Sequence, residues 1–333
     1  MSANIFYNGS LNLDIDGKTI SLDPEINVDA DIIFISHAHM DHSINAETVI
    51  PKITSHATRE LIQFRKGIDM INTISFDTFD LNGFNVKMLD SGHVIGSKSL
   101  LLKIKNKKIF YTGDICDKHR FHMKSAEIPN SDIMILESTY GSEFYEMPSI
   151  TDVIDRSTEW IKAELENGNS LALFGYPLGK AQIISKIAEQ FDVAVILHDY
   201  INQINNICRK YNFSTRDFIS LSNAPDGFEG QAIYILPSSS RKASSIKNIN
   251  GKMKTAMFSG WAIEEDFKVK IGVDEAFALT DHADFKGLLK IVKQSSPEKV
   301  FTFHGFKEEL AENIKERLGI DAEPIKKGLC KLF

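Results

Sequence analysis

The sequence predicts an α/β protein in which one domain is interrupted by another. Three observations carry this. The first third of the chain reads as short strands and tight turns. From about residue 150, apolar strands alternate with helices, the pattern of a parallel sheet. Towards the C-terminus, strands that end in polar turns return. The expected division is residues 1–142 with 276–333 as one domain and 143–275 as the insertion.

The elements follow in order. Asp14-Ile15-Asp16-Gly17 is a hairpin signal, with residues 18–22 as the returning strand. Residues 31–35 are β-branched and aromatic, a buried strand. A helix is expected within 46–67. Strands follow at 84–89, 99–104, 108–112 and 132–136. Residues 152–166 carry Val153, Ile154, Trp160, Ile161 and Leu165 at helical spacing and stop at Asn167-Gly168. Strands at 171–174, 193–197 and 233–236 then alternate with helices from Lys180 and Tyr200. Strand 276–279 leads into Asp281-His282, and strand 299–303 into His304. Helices follow both.

Composition narrows the class. Of 333 residues, 43% are hydrophobic and 25% charged, the balance of a soluble globular enzyme. No apolar run approaches a membrane span, and the N-terminus lacks the basic and apolar regions of a signal peptide. Cys116, Cys208 and Cys330 match no metal or redox spacing, so a reducing, cytoplasmic setting is expected. The formal charge of −7 argues against coating nucleic acid by bulk electrostatics. It leaves room for nucleic acid at a site where metal ions supply the positive charge. Residues 238–263 contain no acid but include Arg241, Lys242, Lys247, Lys252 and Lys254. A phosphate-binding segment and a solvated loop both fit that run.

The chemistry concentrates at strand ends. Ser36-His37-Ala38-His39-Met40-Asp41-His42 directly follows the strand at 31–35 and places three imidazoles and one carboxylate on one turn. These are zinc-type ligands. His93, Asp114, His282 and His304 each follow an apolar strand in the same way. Strand ends hold side chains more firmly than free loops, as a metal site requires.

His-x-His-x-Asp-His at 37–42, His93 in Gly92-His93-Val94-Ile95-Gly96, and Thr112-Gly113-Asp114 resemble the metallo-β-lactamase fold. Glu137-Ser138-Thr139-Tyr140-Gly141, Gly179-Lys180-Ala181-Gln182, Asp281-His282-Ala283-Asp284-Phe285 and Phe303-His304-Gly305 narrow the resemblance to the β-CASP nucleases. That family includes the eukaryotic mRNA 3′-end processing endonuclease, DNA cross-link repair nucleases, and prokaryotic exonucleases associated with DNA ligase. The short insertion is most similar to that of the last group. The resemblance implies an αββα metallo-β-lactamase sandwich with a compact α/β cap that closes over the metals and leaves a cleft for a single strand.

The resemblance also implies roles. His37, His39 and His93 look like ligands of one ion, and Asp41, His42 and His304 like ligands of a second, with Asp114 bridging. Asp23, in Leu22-Asp23-Pro24, looks like the residue that orients a ligand. His282 and Glu137 look catalytic beside Asp41 and Asp114: His282 as a proton donor or phosphate contact, Glu137 as its positioner. Lys180, at a predicted helix start, and Ser238, Ser239, Arg241 and Lys242 are candidates for phosphate binding. Two Zn2+ are the expected cofactors, with Mn2+ able to replace one or both. The expected activity is an exonuclease on single-stranded DNA, with RNA as the alternative substrate and a small-molecule thioester or lactone hydrolase as a more distant one. Association with a DNA ligase or helicase is implied by the resemblance alone, and no membrane partner is expected.

Overall fold

The computed structural model describes residues 2–81, 84–121, 123–224, 230–242 and 252–333. It divides into two compact units. The first comprises Met1–His119, Lys124–Glu146 and His282–Phe333, and the second Arg120–Met123 and Met147–Asp281.

The first unit holds two seven-stranded sheets. One runs, in spatial order, Gly328–Lys331, Ala3–Tyr7, Leu11–Ile15, Lys18–Leu22, Ile32–Phe34, Lys52–Ile53 and Thr73–Ile74. The other runs Asp321–Pro324, Lys299–Phe303, Ile133–Glu137, Lys107–Tyr111, Lys98–Ile104, Phe84–Asp90 and Thr78–Leu81. Period-2 alternation sorts the side chains of each strand to two faces. Ile109 and Tyr111 join a core built from both sheets, with Leu13, Ile20, Phe34, Val86 and Leu100. Phe110, between them, faces the opposite way, into a core with Leu288 and Ile291 of the helix Phe285–Ser295 and Leu310 and Ile314 of the helix Lys307–Leu318. The helix His56–Lys66 buries Leu61 and Ile62. The layers are those of the αββα sandwich.

Local chemistry explains the element ends. Asp16 (φ 50°) and Gly17 (φ 79°) both have the positive φ of a tight hairpin turn between Leu11–Ile15 and Lys18–Leu22. The helix expected within 46–67 begins at His56, because Ser55 caps it by accepting the Thr58 N–H at 3.0 Å. Residues before it form the 3₁₀ segment Asp41–Glu47 and the strand Lys52–Ile53.

The second unit is a parallel six-stranded sheet in the order Ile219–Ser220, Ala194–Leu197, Ala232–Pro237, Ser170–Gly175, Met253–Phe258 and Glu275–Phe277. The helix Ile150–Glu166 leads into it, and Lys180–Ala188, Asp199–Arg209 and Phe267–Ile271 lie in crossovers between its strands. The structure differs from the sequence expectation within and at the ends of this unit, which begins at Met147 and also takes in Arg120–Met123. Met253–Phe258, within the basic run and not expected as a strand, is an inner strand. Glu275–Phe277 pairs with it, so the second unit runs to Asp281 rather than to 275. No helix among the described residues is long and apolar enough to cross a membrane.

Candidate metal centre

Three strand ends of the first unit deliver four of the predicted ligands to one place. His37 and His39 follow Ile32–Phe34, His93 follows Phe84–Asp90, and Asp114 follows Lys107–Tyr111. Two of these turns depend on glycine. Gly92 has φ 71°, and a Cβ there would lie 2.4 Å from the Cys116 carbonyl oxygen. Gly113 has φ 54°, and its Cβ would lie 2.8 Å from Ser36 Cβ.

One potential ligand atom from each of His37, His39, His93 and Asp114 lies within 4.8 Å of the others. His93 Nε2 is 3.2 Å from His39 Nδ1. Asp114 Oδ2 is 3.5 Å from both His37 Nε2 and His93 Nε2. Donors sharing one tetrahedral zinc at about 2.0–2.1 Å stand about 3.3–3.4 Å apart. The spacing and chemistry of the set therefore fit a metal ion. His37 and His93 are fully buried. Burial holds His37 well below the usual histidine range, and the neighbouring His42, His39 and His93 add to that. A neutral imidazole is the form that ligates metal.

The second predicted set is partly assembled. His42 Nε2 lies 3.7 Å from Asp114 Oδ2 and 3.8 Å from Asp41 Oδ2. Asp114 Oδ2 is thus in reach of both sets. Burial opposes charge on His42, but Asp114, Asp23 and Asp41 outweigh it and raise the ring to about 10. The carboxylates of this site draw positive charge strongly. His304 stands further off: its ring centroid is 6.1 Å from that of His42, and its Nε2 is 3.4 Å from Glu25 Oε1.

Asp23 occupies the predicted orienting position. Its Oδ2 is 3.3 Å from His42 Nδ1 and accepts the Tyr111 hydroxyl at 2.8 Å, while Oδ1 accepts the Ser36 N–H at 2.7 Å. Burial pushes the Tyr111 hydroxyl well above its usual range, and the nearby Asp23 adds to this, so it stays a donor. Asp23 has φ 41°, an uncommon backbone for a non-glycine residue, held by these contacts.

Beside the metal ligands, His282 Nδ1 lies 2.9 Å from Glu137 Oε1, and its Nε2 is 4.0 Å from Asp114 Oδ2. Glu137 is fully buried and also accepts the Ile115 and Thr139 N–H groups, at 2.8 and 3.2 Å. Burial favours its neutral form, but His282 and those donors outweigh burial and keep the carboxyl below its usual value.

The phosphate-binding candidates fare differently. Lys180 does start a helix, but its ammonium lies 2.5 Å from Asp281 Oδ1, and that aspartate is 1% exposed. Its ammonium thus faces a buried carboxylate, a contact the sequence did not reveal. Lys254, in the basic run, pairs with Asp274 at 2.9 Å. Ser238, Ser239 and Arg241 lie on the 3₁₀ turn Ser238–Lys242. The Lys242 side chain and Lys247 lie outside the described residues.

Sequence reasoning missed Glu25, Tyr111 and the Asp281–Lys180 pair. Tyr111 carried a usable signal, since it is on the buried strand that ends at Asp114. The others meet partners far away in the chain.

Residues 267–323 match the family described as the Zn-dependent metallo-hydrolase RNA specificity domain. A probable DNA ligase of Opitutus terrae is 28% identical over 87% of this chain and 28% of its own length. Cleavage and polyadenylation specificity factor subunit 3-I of Arabidopsis thaliana is 26% identical over 48% of this chain and 28% of its own. The chain thus spans less than a third of either relative. An RNase J-like protein of Methanocaldococcus jannaschii is 24% identical over 83% of this chain and 81% of its own. A solved structure from Enterococcus faecalis, of a protein of unknown function, shares the fold with TM-score 0.70, covering 99% of this chain and 100% of that one at 16% identity.

Proposed function

We propose that this chain, which belongs to the β-CASP nuclease family of metallo-β-lactamase-fold, metal-dependent hydrolases, is a two-metal exonuclease acting on single-stranded DNA. The observation that carries the two-metal reading is the position of Asp114 Oδ2, 3.5 Å from His37 and His93 and 3.7 Å from His42. A carboxylate so placed can be shared by two ions. His37, His39 and His93 would hold one; Asp41, His42 and His304 would hold the other. The donor set suits Zn2+, and its carboxylates admit Mn2+. When bound, such ions polarise phosphoryl oxygens and make water nucleophilic near neutral pH.

The rest of the chemistry falls to side chains. Glu137 accepts from His282 Nδ1, which fixes the ring and favours its protonated form. His282 Nε2 can then give a proton to the departing oxygen. Asp23 holds His42 through Nδ1, leaving Nε2 for an ion. A thioester or lactone hydrolase would use His37 to Asp114 but leave the His282–Glu137 pair without a task.

DNA is favoured by the relative named as a ligase, whose likeness runs along 87% of this chain. RNA is the second reading. It is supported by the RNA specificity domain at 267–323 and by the RNase J-like relative. The proposal includes a cytoplasmic setting and association with a DNA ligase or helicase. Ser238, Ser239 and Arg241 are its remaining phosphate candidates.

End-labelled single-stranded DNA and RNA of one sequence, each incubated with Zn2+ or Mn2+, test the reading. Stepwise shortening of the DNA, faster than of the RNA, is expected. Faster RNA cleavage would move the assignment to the second reading. Intact strands under all four conditions would refute both.

A further inference from the structure

We infer that a cavity beside His304, within the first unit, holds the terminal nucleoside whose phosphate is cleaved. This rests on the nuclease reading above and adds a binding site to it. The cavity is about 240 Å³, room for one nucleoside rather than for a continuing strand.

Asp23 and His304 form part of its wall. Both belong to the candidate metal centre, so a group seated in the cavity lies next to the metal ligands. Much of the remaining wall is apolar: Leu11, Leu22, Phe303 and Ile325 line it, and all four are buried. Such a surface gives a phosphate nothing, but it suits the faces of a flat heterocycle. Tyr7 also lines the cavity and is half-buried, which leaves an aromatic ring available for base stacking.

Two polar groups fit a nucleoside's edge and sugar. Ser10 lines the cavity and is 2% exposed, and its hydroxyl has no hydrogen-bond partner among the described residues. A buried hydroxyl without a partner is costly, and a ligand that supplies one removes the cost. Lys307 donates to the Ile325 carbonyl at 2.9 Å and lies 3.9 Å from Glu308 Oε1, and an ammonium has three N–H groups, so one can still serve a ligand. Glu25, also on the wall, argues against a second phosphate, because its carboxylate would repel one. One phosphate at the metals and one nucleoside in the cavity satisfy all of these groups. That arrangement belongs to an enzyme that trims ends and releases mononucleotides.

The test uses full-length, metal-loaded protein hydrolysing bis-p-nitrophenyl phosphate. Deoxyadenosine 3′- and 5′-monophosphate and inorganic phosphate are compared as inhibitors. At least one nucleotide should inhibit about ten-fold better than phosphate, the scale of one stacked base. Tyr7→Ala should abolish most of that advantage, and Lys307→Met should reduce it about three-fold. Calorimetric titration with the same nucleotides should repeat the order. Equal inhibition by nucleotides and phosphate would overturn the inference, as would an advantage that survives in both variants. Failure of loaded protein to cleave bis-p-nitrophenyl phosphate or any oligonucleotide would instead refute the nuclease reading, and the inference with it.

Discussion

His282 and Glu137 meet through a 2.9 Å contact between Nδ1 and Oε1, although 145 residues separate them in the chain. Glu137 ends one inner strand, Ile133–Glu137, and His282 begins the segment that re-enters the unit. The pairing leaves Nε2 directed to the metal side, 4.0 Å from Asp114.

A proton-transfer role for His282 sets a clear expectation. His282→Ala should keep its metal content and lose about 10²–10⁴-fold in kcat. Glu137→Gln should also keep metal but displace the pH–rate profile, because the neutral amide no longer favours a protonated ring. Metal analysis beside steady-state kinetics checks both. Loss of an ion from His282→Ala would mean that this histidine is a ligand.

Sharing of Asp114 between two ions predicts a stoichiometry. Loaded wild-type protein should carry two ions, about 3.5–4 Å apart in a metal-bound crystal structure. Asp114→Ala should retain at most one and lose activity, with its circular dichroism spectrum unchanged. A single ion in fully active wild-type protein would refute the two-metal reading.

The Lys180–Asp281 pair carries a stability prediction of its own. Lys180→Ala removes the ammonium that faces a carboxylate 1% exposed. The expected loss is about 3 kcal/mol, near the low end for a broken buried pair, since Lys180 is itself 14% exposed. Adding Asp281→Asn should recover much of the loss, because an amide carries no charge. Urea denaturation of both variants decides this. Full stability of Lys180→Ala would show that the pair carries no weight.

Asp274 supplies a pH test. Burial raises its pKa, but bonds from Thr255 and Lys254 outweigh burial and hold it below the ordinary 3.8. A carboxyl depressed on folding stabilises above its unfolded value, and that stability fades as pH falls through the folded one. Solvent screens a carboxylate 36% exposed, so Asp274→Asn should cost only about 0.5 kcal/mol at pH 6, with the gap to wild type narrowing below pH 3.8. Denaturation curves across that range measure it. A gap independent of pH would assign the effect to lost geometry rather than to charge.

Much of the centre was legible because strong strand signals and metal-type ligands fall next to each other. Residues 31–35 form a β-branched and aromatic run, and His37 follows it at once. Helix limits were legible where caps are local, as at Asn167-Gly168. Met253–Phe258 was hidden because it begins Met-Lys-Thr and its first three residues are only half-buried, so polarity mimics a loop. Lys180 looked like a phosphate ligand because its partner lies 101 residues on. His304 was correctly placed on a strand end, but its contact with Glu25 depends on where two remote turns meet.

The strand Ile133–Glu137 pairs in parallel with Lys299–Phe303, on the far side of the insertion. During synthesis, the ribosome must emit the whole insertion before that register can form. His282 emerges directly after the insertion, and the last candidate ligand, His304, follows the returning strand. A chain that has emerged only as far as Asp114 thus carries His37 to Asp114 without His282 or His304. The candidate centre is therefore completed only after the insertion has been made.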